Sequence, residues 1–285
     1  MMAAAKKFSP VWLTLPSLAL FLVMLMTPLT LTLLLSFNEY DTMKGAVGGF
    51  TLEHYWKVVS DGFYLEIFWR TLKIGLLTTL ICVVVGVPEA YILSRMNRPW
   101  RSLFLMIVLT PLLVSVVVRT FGWSMLLGFE GPINQLFVAL GWGKSRLLYT
   151  EGAVIAALVH VMLPFMIIPV WTSLQKLDPQ VEQAALSFGA SRLTAITRVV
   201  LPQIMPGILS GGLIVFGLAA SSFAIPGLLG GRRLKMVATT VYDQYLHELN
   251  WPMGASIAVI LLLANLVVML TCHRVVEGQY RRRLG

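Results

Sequence analysis

The sequence predicts an all-α, polytopic transmembrane bundle of six helices, and three observations carry that expectation. Apolar residues make up 57% of the 285-residue chain and charged residues only 12%, where an ordinary soluble domain carries roughly a quarter charged residues. The apolar residues are gathered into runs of about 20 residues or more, the length a helix needs to cross a hydrocarbon core. The net charge of +9 is divided unevenly between the segments that join these runs, as membrane topology requires.

The runs cover residues 11–36, 71–94, 103–127, 152–173, 204–226 and 251–272, within a single transmembrane unit of residues 11–285. Lys6 and Lys7 precede the first run much as basic residues precede a secretory signal. The run is longer than a signal core of roughly 7–15 residues, and no A-x-A-like site follows it closely, so it reads as a retained anchor behind a cytoplasmic segment 1–10. The loop 37–70 then interleaves Tyr55, Trp56, Phe63, Tyr64, Phe68 and Trp69 with charges. Aromatics with one polar edge settle at the membrane–water boundary, which favours an interfacial helix over a ligand-stacking surface. With the N-terminus inside, the inner segments hold Lys6, Lys7, Arg95, Arg98, Arg101, Lys176, Arg192, Arg198, Arg274 and Arg281 to Arg283, against Asp178, Glu182 and Glu277. Acids and bases balance on the outer side, so the basic excess marks orientation, with both termini cytoplasmic in an inner membrane, and not a nucleic-acid footprint.

Several chemistries lack their residues. Cys82 and Cys272 lie in separate runs with no metal-ligand spacing around either, and read as small apolar fillers with no metal site. Gly143-Lys144-Ser145 looks like the end of a phosphate-cradling loop, but Val138 stands where that motif needs its first glycine. The chain therefore offers no means of hydrolysing ATP by itself. Its histidines (His54, His160, His247 and His273) are scattered, which gives an intramembrane enzyme no constellation to work with.

The inner loop 174–203 is longer than a turn requires. Asp178 suits an N-cap and Pro179 the first helical position. Val181, Ala184, Ala185 and Phe188 recur at helical spacing on one face. Gly189 supplies a left-handed end, Ser191 caps a second short helix, and Leu201-Pro202 with Pro206 breaks the chain before the fifth run. The product is a two-helix elbow whose small-residue face points either outward or into the bundle.

Gln183-Ala184-Ala185, Gly189 and Val199-x-Leu201-Pro202 resemble the signature loop of binding-protein-dependent importer permeases, Glu-Ala-Ala, three residues, Gly, then Ile-x-Leu-Pro. Val118-Arg119-Thr120-Phe121-Gly122-Trp123, Leu163-Pro164-Phe165, Pro206-Gly207-Ile208, and Ile225-Pro226 with Leu229-Gly230-Gly231 look like the spermidine/putrescine-type subfamily. The resemblance implies the type I fold of ATP-binding-cassette importers and a permease that moves a polyamine or similar small solute by alternating access. It also implies two ATP-binding subunits that hold the ATP, a second permease, a periplasmic solute-binding protein and surrounding membrane lipid as partners. The loop becomes the coupling helix, with Glu182, Gln183, Ala184, Ala185, Gly189, Leu201 and Pro202 as its residues. One departure stands out: Gln183 replaces the family's Glu, and the carboxylate of Glu182 lies one residue earlier, about 100° around the helix.

Ionisable groups inside a membrane are costly and so draw attention as functional. Glu89 pairs with Arg95 or lines an inner vestibule; Arg119 satisfies carbonyls of a neighbouring helix or faces the path. His160 and Asn265 complete the candidates for a substrate path, with helix packing as the competing fate of each. Gly207 and Gly211 form a small-residue pair that lets helices approach closely. The rival architecture, an ion-coupled secondary transporter, calls for inverted repeats and intramembrane acids that the sequence does not display.

Overall fold

A computed structural model describes residues 11–284 apart from 42, 44 and 232. The segment 1–10, with Lys6 and Lys7, lies outside the described residues. The chain runs through α1 (Val11–Leu35), a hairpin of β1 (Glu39–Asp41) and β2 (Gly45–Val47), α2 (Glu53–Ser60), α3 (Gly62–Arg95), α4 (Arg98–Leu113), α5 (Val116–Leu127), α6 (Pro132–Ala139) and α7 (Glu151–Gln175). It continues through α8 (Pro179–Ser187), α9 (Arg192–Ala195), a π-helical turn (Ile196–Val200), α10 (Leu201–Gln203), α11 (Met205–Ala220), α12 (Ala224–Leu229), α13 (Val237–Leu246) and α14 (Trp251–Leu284).

Among the described residues, α1, α3, α7 and α14 are each long and apolar enough to cross a bilayer, and two bent pairs bring the potential spans to six. Two of the apolar runs are interrupted. The run 103–127 is broken between α4 and α5, with a 98° change of direction. Pro111 withholds an N–H from the last turn of α4, Val114 is extended, and Ser115 leaves the helical region at φ -52° and ψ 133°. The run 204–226 stops at Ala220, and Ile225-Pro226 falls in the separate α12. The second run starts earlier than expected, at Gly62, because the Asp61 carboxylate accepts from the Phe63 amide at 2.9 Å and Glu66 pairs with Arg70 one turn on.

The core is built on α3, α7 and α11, which pack on one another more extensively than any other elements. Ile74, Cys82 and Ala90 meet Leu158, Met166 and Ile167 there, all fully buried. Glycine makes this approach possible: a Cβ at Gly207 would stand 2.7 Å from the Pro169 carbonyl oxygen, and one at Gly86 3.0 Å from Met166 Cγ. A smaller cluster of Val58, Tyr64, Ile67, Val237, Met253 and Ile257 joins α2, α13 and α14 to the start of α3. The Thr71 hydroxyl ties α3 to the start of α13 in this second region, donating to the Ile67 carbonyl at 2.8 Å and accepting from the Val237 amide at 2.9 Å. Lys73 and Glu151 tie α3 to the start of α7 at 2.6 Å. Trp56 on α2 and Phe63 and Trp69 at the start of α3 are exposed, while Tyr55 shares a hydrogen bond of 2.6 Å with Ser36.

Candidate functional site

The loop 174–203 between α7 and α11 is ordered by its own short-range bonds. The Asp178 carboxylate accepts from the Gln180 amide at 2.9 Å, and Pro179 opens α8 without an N–H to satisfy. At the other end Gly189 takes φ +84°. Its amide donates to Leu186 O at 3.0 Å and that of Ala190 to Ala185 O at 3.1 Å, which closes the helix end. The Ser191 hydroxyl accepts from the Thr194 amide at 3.2 Å and starts α9. The widened turn follows, where the Leu201 amide reaches back to Ile196 O. Pro202 would otherwise press on the carbonyl of the preceding turn, and the wider radius relieves it. The chain then bends by 68° into α11.

The faces of this elbow settle what the sequence leaves open. Val181, Gln183, Ala184 and Gly189 are exposed, Ala185 is half-buried, and Phe188 is 92% exposed. Leu193 on α9 is 72% exposed beside them. The small-residue face therefore points outward, with apolar side chains uncovered around it. Leu177 and Leu201, at the two ends, pack against the core, and Pro202 is half-buried.

Glu182 does not share the exposed face. Its Oε1 accepts from the Tyr91 hydroxyl at 2.6 Å and its Oε2 pairs with Arg95, both on α3. The one-residue offset from Gln183 turns the carboxylate inward, toward the end of α3. Arg95 is thus engaged by Glu182 and not by Glu89. Tyr91 and Arg95 are not among the residues the sequence singles out for this loop: they lie 91 and 87 positions away from Glu182.

The candidates at membrane depth fall in three separate places. Arg119 and His160 come together where α5 meets α7. Trp123, one turn after Arg119, donates from its indole N–H to His160 Nδ1 at 3.2 Å. The Arg119 Nε and Nη1 are buried without a hydrogen-bond partner among the described residues. Glu89 is half-buried on α3 beside the stripe that carries Gly86 and Leu93 into the core, also without a partner among the described residues. Asn265, on α14, lines an apolar cavity of about 900 Å³ between α1, α13 and α14, along with Met26, Phe223, Tyr242 and Tyr245. A second cavity, of about 470 Å³, gathers Lys235, Thr239, Asp243, His247 and Glu248; Asp243 there holds Lys235 at 2.6 Å and His247 at 3.3 Å.

The chain matches known proteins along most of its length. The family described as binding-protein-dependent transport system inner membrane component matches residues 83–277. The spermidine/putrescine transport system permease protein PotB of Haemophilus influenzae is 31% identical over 249 residues, covering 87% of each chain. The PotB of Escherichia coli K12 is 32% identical over 227 residues, 79% of this chain and 82% of its own. Among solved structures, a bacterial ABC transporter involved in the import of the acidic polysaccharide alginate superposes with a TM-score of 0.80 at 18% identity, over 96% of both chains. That agreement fixes the fold as the type I permease bundle. By family match, identity and coverage together, this chain belongs to the inner-membrane components of binding-protein-dependent transport systems.

Proposed function

We propose that the chain is the permease subunit of an ATP-driven importer that passes a polyamine or a similar small solute from a periplasmic binding protein to the cytoplasm. Loop 174–203 is its coupling element on the cytoplasmic side. The observation that carries this reading is the outward face of the elbow: Phe188 at the end of α8 and Leu193 on α9 stand uncovered on a segment that three local caps order. Apolar side chains held out on an ordered loop mark a surface meant for a partner. The partner that fits is an ATP-binding subunit, two of which serve a pair of permeases and bind the ATP that this chain has no loop to hold. Both termini are cytoplasmic in this arrangement. Closure of the ATPase pair draws the coupling helices together and turns the bundle outward, where the binding protein delivers its solute; hydrolysis returns it to the inward state.

The polyamine reading rests on the likeness to the two PotB proteins. Glu89, Arg119, His160 and Asn265 are its path candidates, and the clustering of Arg119 with His160 supports a shared role for those two.

Co-purification of the ATPase with loop variants tests the coupling assignment. Gly189→Val forces a β-branched residue to φ +84°, at a cost of about 1–2 kcal/mol or more, and Ala185→Asp places a charge on the half-buried edge of the docking face. Both should leave the spans inserted while ATPase recovery and uptake fall together. Full recovery and full uptake with Gly189→Val would remove the loop from the docking surface.

A further inference from the structure

We propose that the Glu182 carboxylate is the tie through which α8 drives α3, so that the loop and a central helix of the bundle move as one piece during transport. The inference rests on the reading of α8 as the coupling helix. Covalently, α8 joins α7 through residues 176–178 and α9 through the turn at Gly189. Both links lead to the chain neighbours of α8, and neither bears on α3. A push delivered to the exposed face of α8 needs a direct contact to reach that helix.

Glu182 supplies one. Its side chain is 12% exposed, and it spends both oxygens on α3, Oε1 on the Tyr91 hydroxyl and Oε2 on the Arg95 guanidinium. Tyr91 and Arg95 are one turn apart, so the carboxylate grips a single face of the helix at two points. The third side of the triangle is closed as well, since the guanidinium carbon of Arg95 lies 5.5 Å from the centre of the Tyr91 ring. Two different acceptor atoms and two donors fix the direction of the link as well as its length. The receiving helix is α3, which packs on α7 and α11. Force entering there reaches the whole core. The Gln183 position, with an uncharged amide on the outer face, leaves Glu182 as the acid of this helix and commits it to the inner contact.

The test uses the assembled complex in liposomes: this chain, its second permease, its ATPase and the binding protein as isolated from the periplasm. The readouts are ATPase recovery on purification and the stimulation of ATP hydrolysis by the binding protein. Glu182→Gln keeps the size and an acceptor for Tyr91 but loses the ion pair; it should retain the ATPase while stimulation falls about fivefold, the rate equivalent of losing one partly exposed ion pair. Arg95→Glu alone should do the same, and Glu182→Arg combined with Arg95→Glu should restore stimulation. If Glu182→Arg alone does not assemble, Glu182→Gln and the exchanged pair still carry the test. Unchanged stimulation in Glu182→Gln, no rescue by the exchanged pair, or loss of the ATPase from Glu182→Gln would each overturn the tie, the last by placing Glu182 on the docking face. The Gly189→Val and Ala185→Asp variants run beside them. If these keep the ATPase, the coupling-helix reading itself falls; if they release it while the Glu182 variants change nothing, only the tie falls.

Discussion

Replacing Gly207 by alanine should force α7 and α11 apart. The new Cβ would lie 2.3 Å from Ser173 Oγ and 2.7 Å from the Pro169 carbonyl oxygen. The serine can rotate away, but the carbonyl belongs to the backbone of α7. Carbon–oxygen contacts settle at about 3.3 Å or more, so the helices must open by roughly half an ångström where they are closest. Overpacking of this kind costs about 1–3 kcal/mol, and the better helix propensity of alanine returns about 1 kcal/mol. Gly212 is the internal control, because a Cβ there would meet only Thr79 Cγ2, at 3.7 Å. Gly212→Ala should therefore be neutral or stabilising by up to about 1 kcal/mol, and the two variants should differ by about 1–3 kcal/mol. Unfolding of the detergent-solubilised chain by heat or by titration with a denaturing detergent measures the difference. Identical transitions for Gly207→Ala and Gly212→Ala would refute the claim that backbone contact, and not glycine content, sets the spacing of these helices.

Arg119→Met should leave the isolated chain as stable as before or slightly more so, because the buried Nε and Nη1 give up no hydrogen bond among the described residues and an apolar replacement avoids their desolvation; a fall of more than about 2 kcal/mol would reveal an acceptor that the guanidinium depends on. Glu89→Gln should preserve assembly of the complex and raise the KM for radiolabelled spermidine by at least about threefold, as expected for removing one partly buried charge from a cation's route. Unchanged uptake kinetics would make Glu89 structural.

The parts of this fold that the sequence discloses are those written in neighbouring residues. The elbow is one: Asp178, Pro179, Gly189 and Ser191 each act within a few positions of themselves, and each does what its side chain dictates. Long apolar runs disclose the spans in the same way. The breaks are harder, since proline does not mark them uniquely: Pro16, Pro28, Pro88, Pro164 and Pro169 all sit inside continuous helices, whereas α4 ends close after Pro111. Whether a proline kinks or stops a helix is decided by what its neighbours can do for the freed carbonyl, and that is a tertiary matter. The early start of α3 was hidden because Glu66 and Arg70 lower the hydropathy of a turn that their pairing stabilises. The tie from Glu182 to Tyr91 and Arg95 joins positions 87 and 91 residues apart, and no local pattern encodes it. The grouping of Arg119 with His160 and Trp123 depends on how α5 lies after its 98° bend, and is equally silent in the sequence.

The wide turn at Ile196–Val200 has a bearing on how this loop can vary between relatives. A π turn is an α-helix carrying one surplus residue, and here the surplus makes room for the ring of Pro202. Deleting that residue alone would press the ring onto a carbonyl, and replacing Pro202 alone would leave a widened turn with nothing to accommodate. Loss of either would also alter the approach to α11, whose Gly207 has to meet α7 at a fixed angle of rotation. Insertion and proline are therefore a linked pair: in the history of the family they should be gained and lost together.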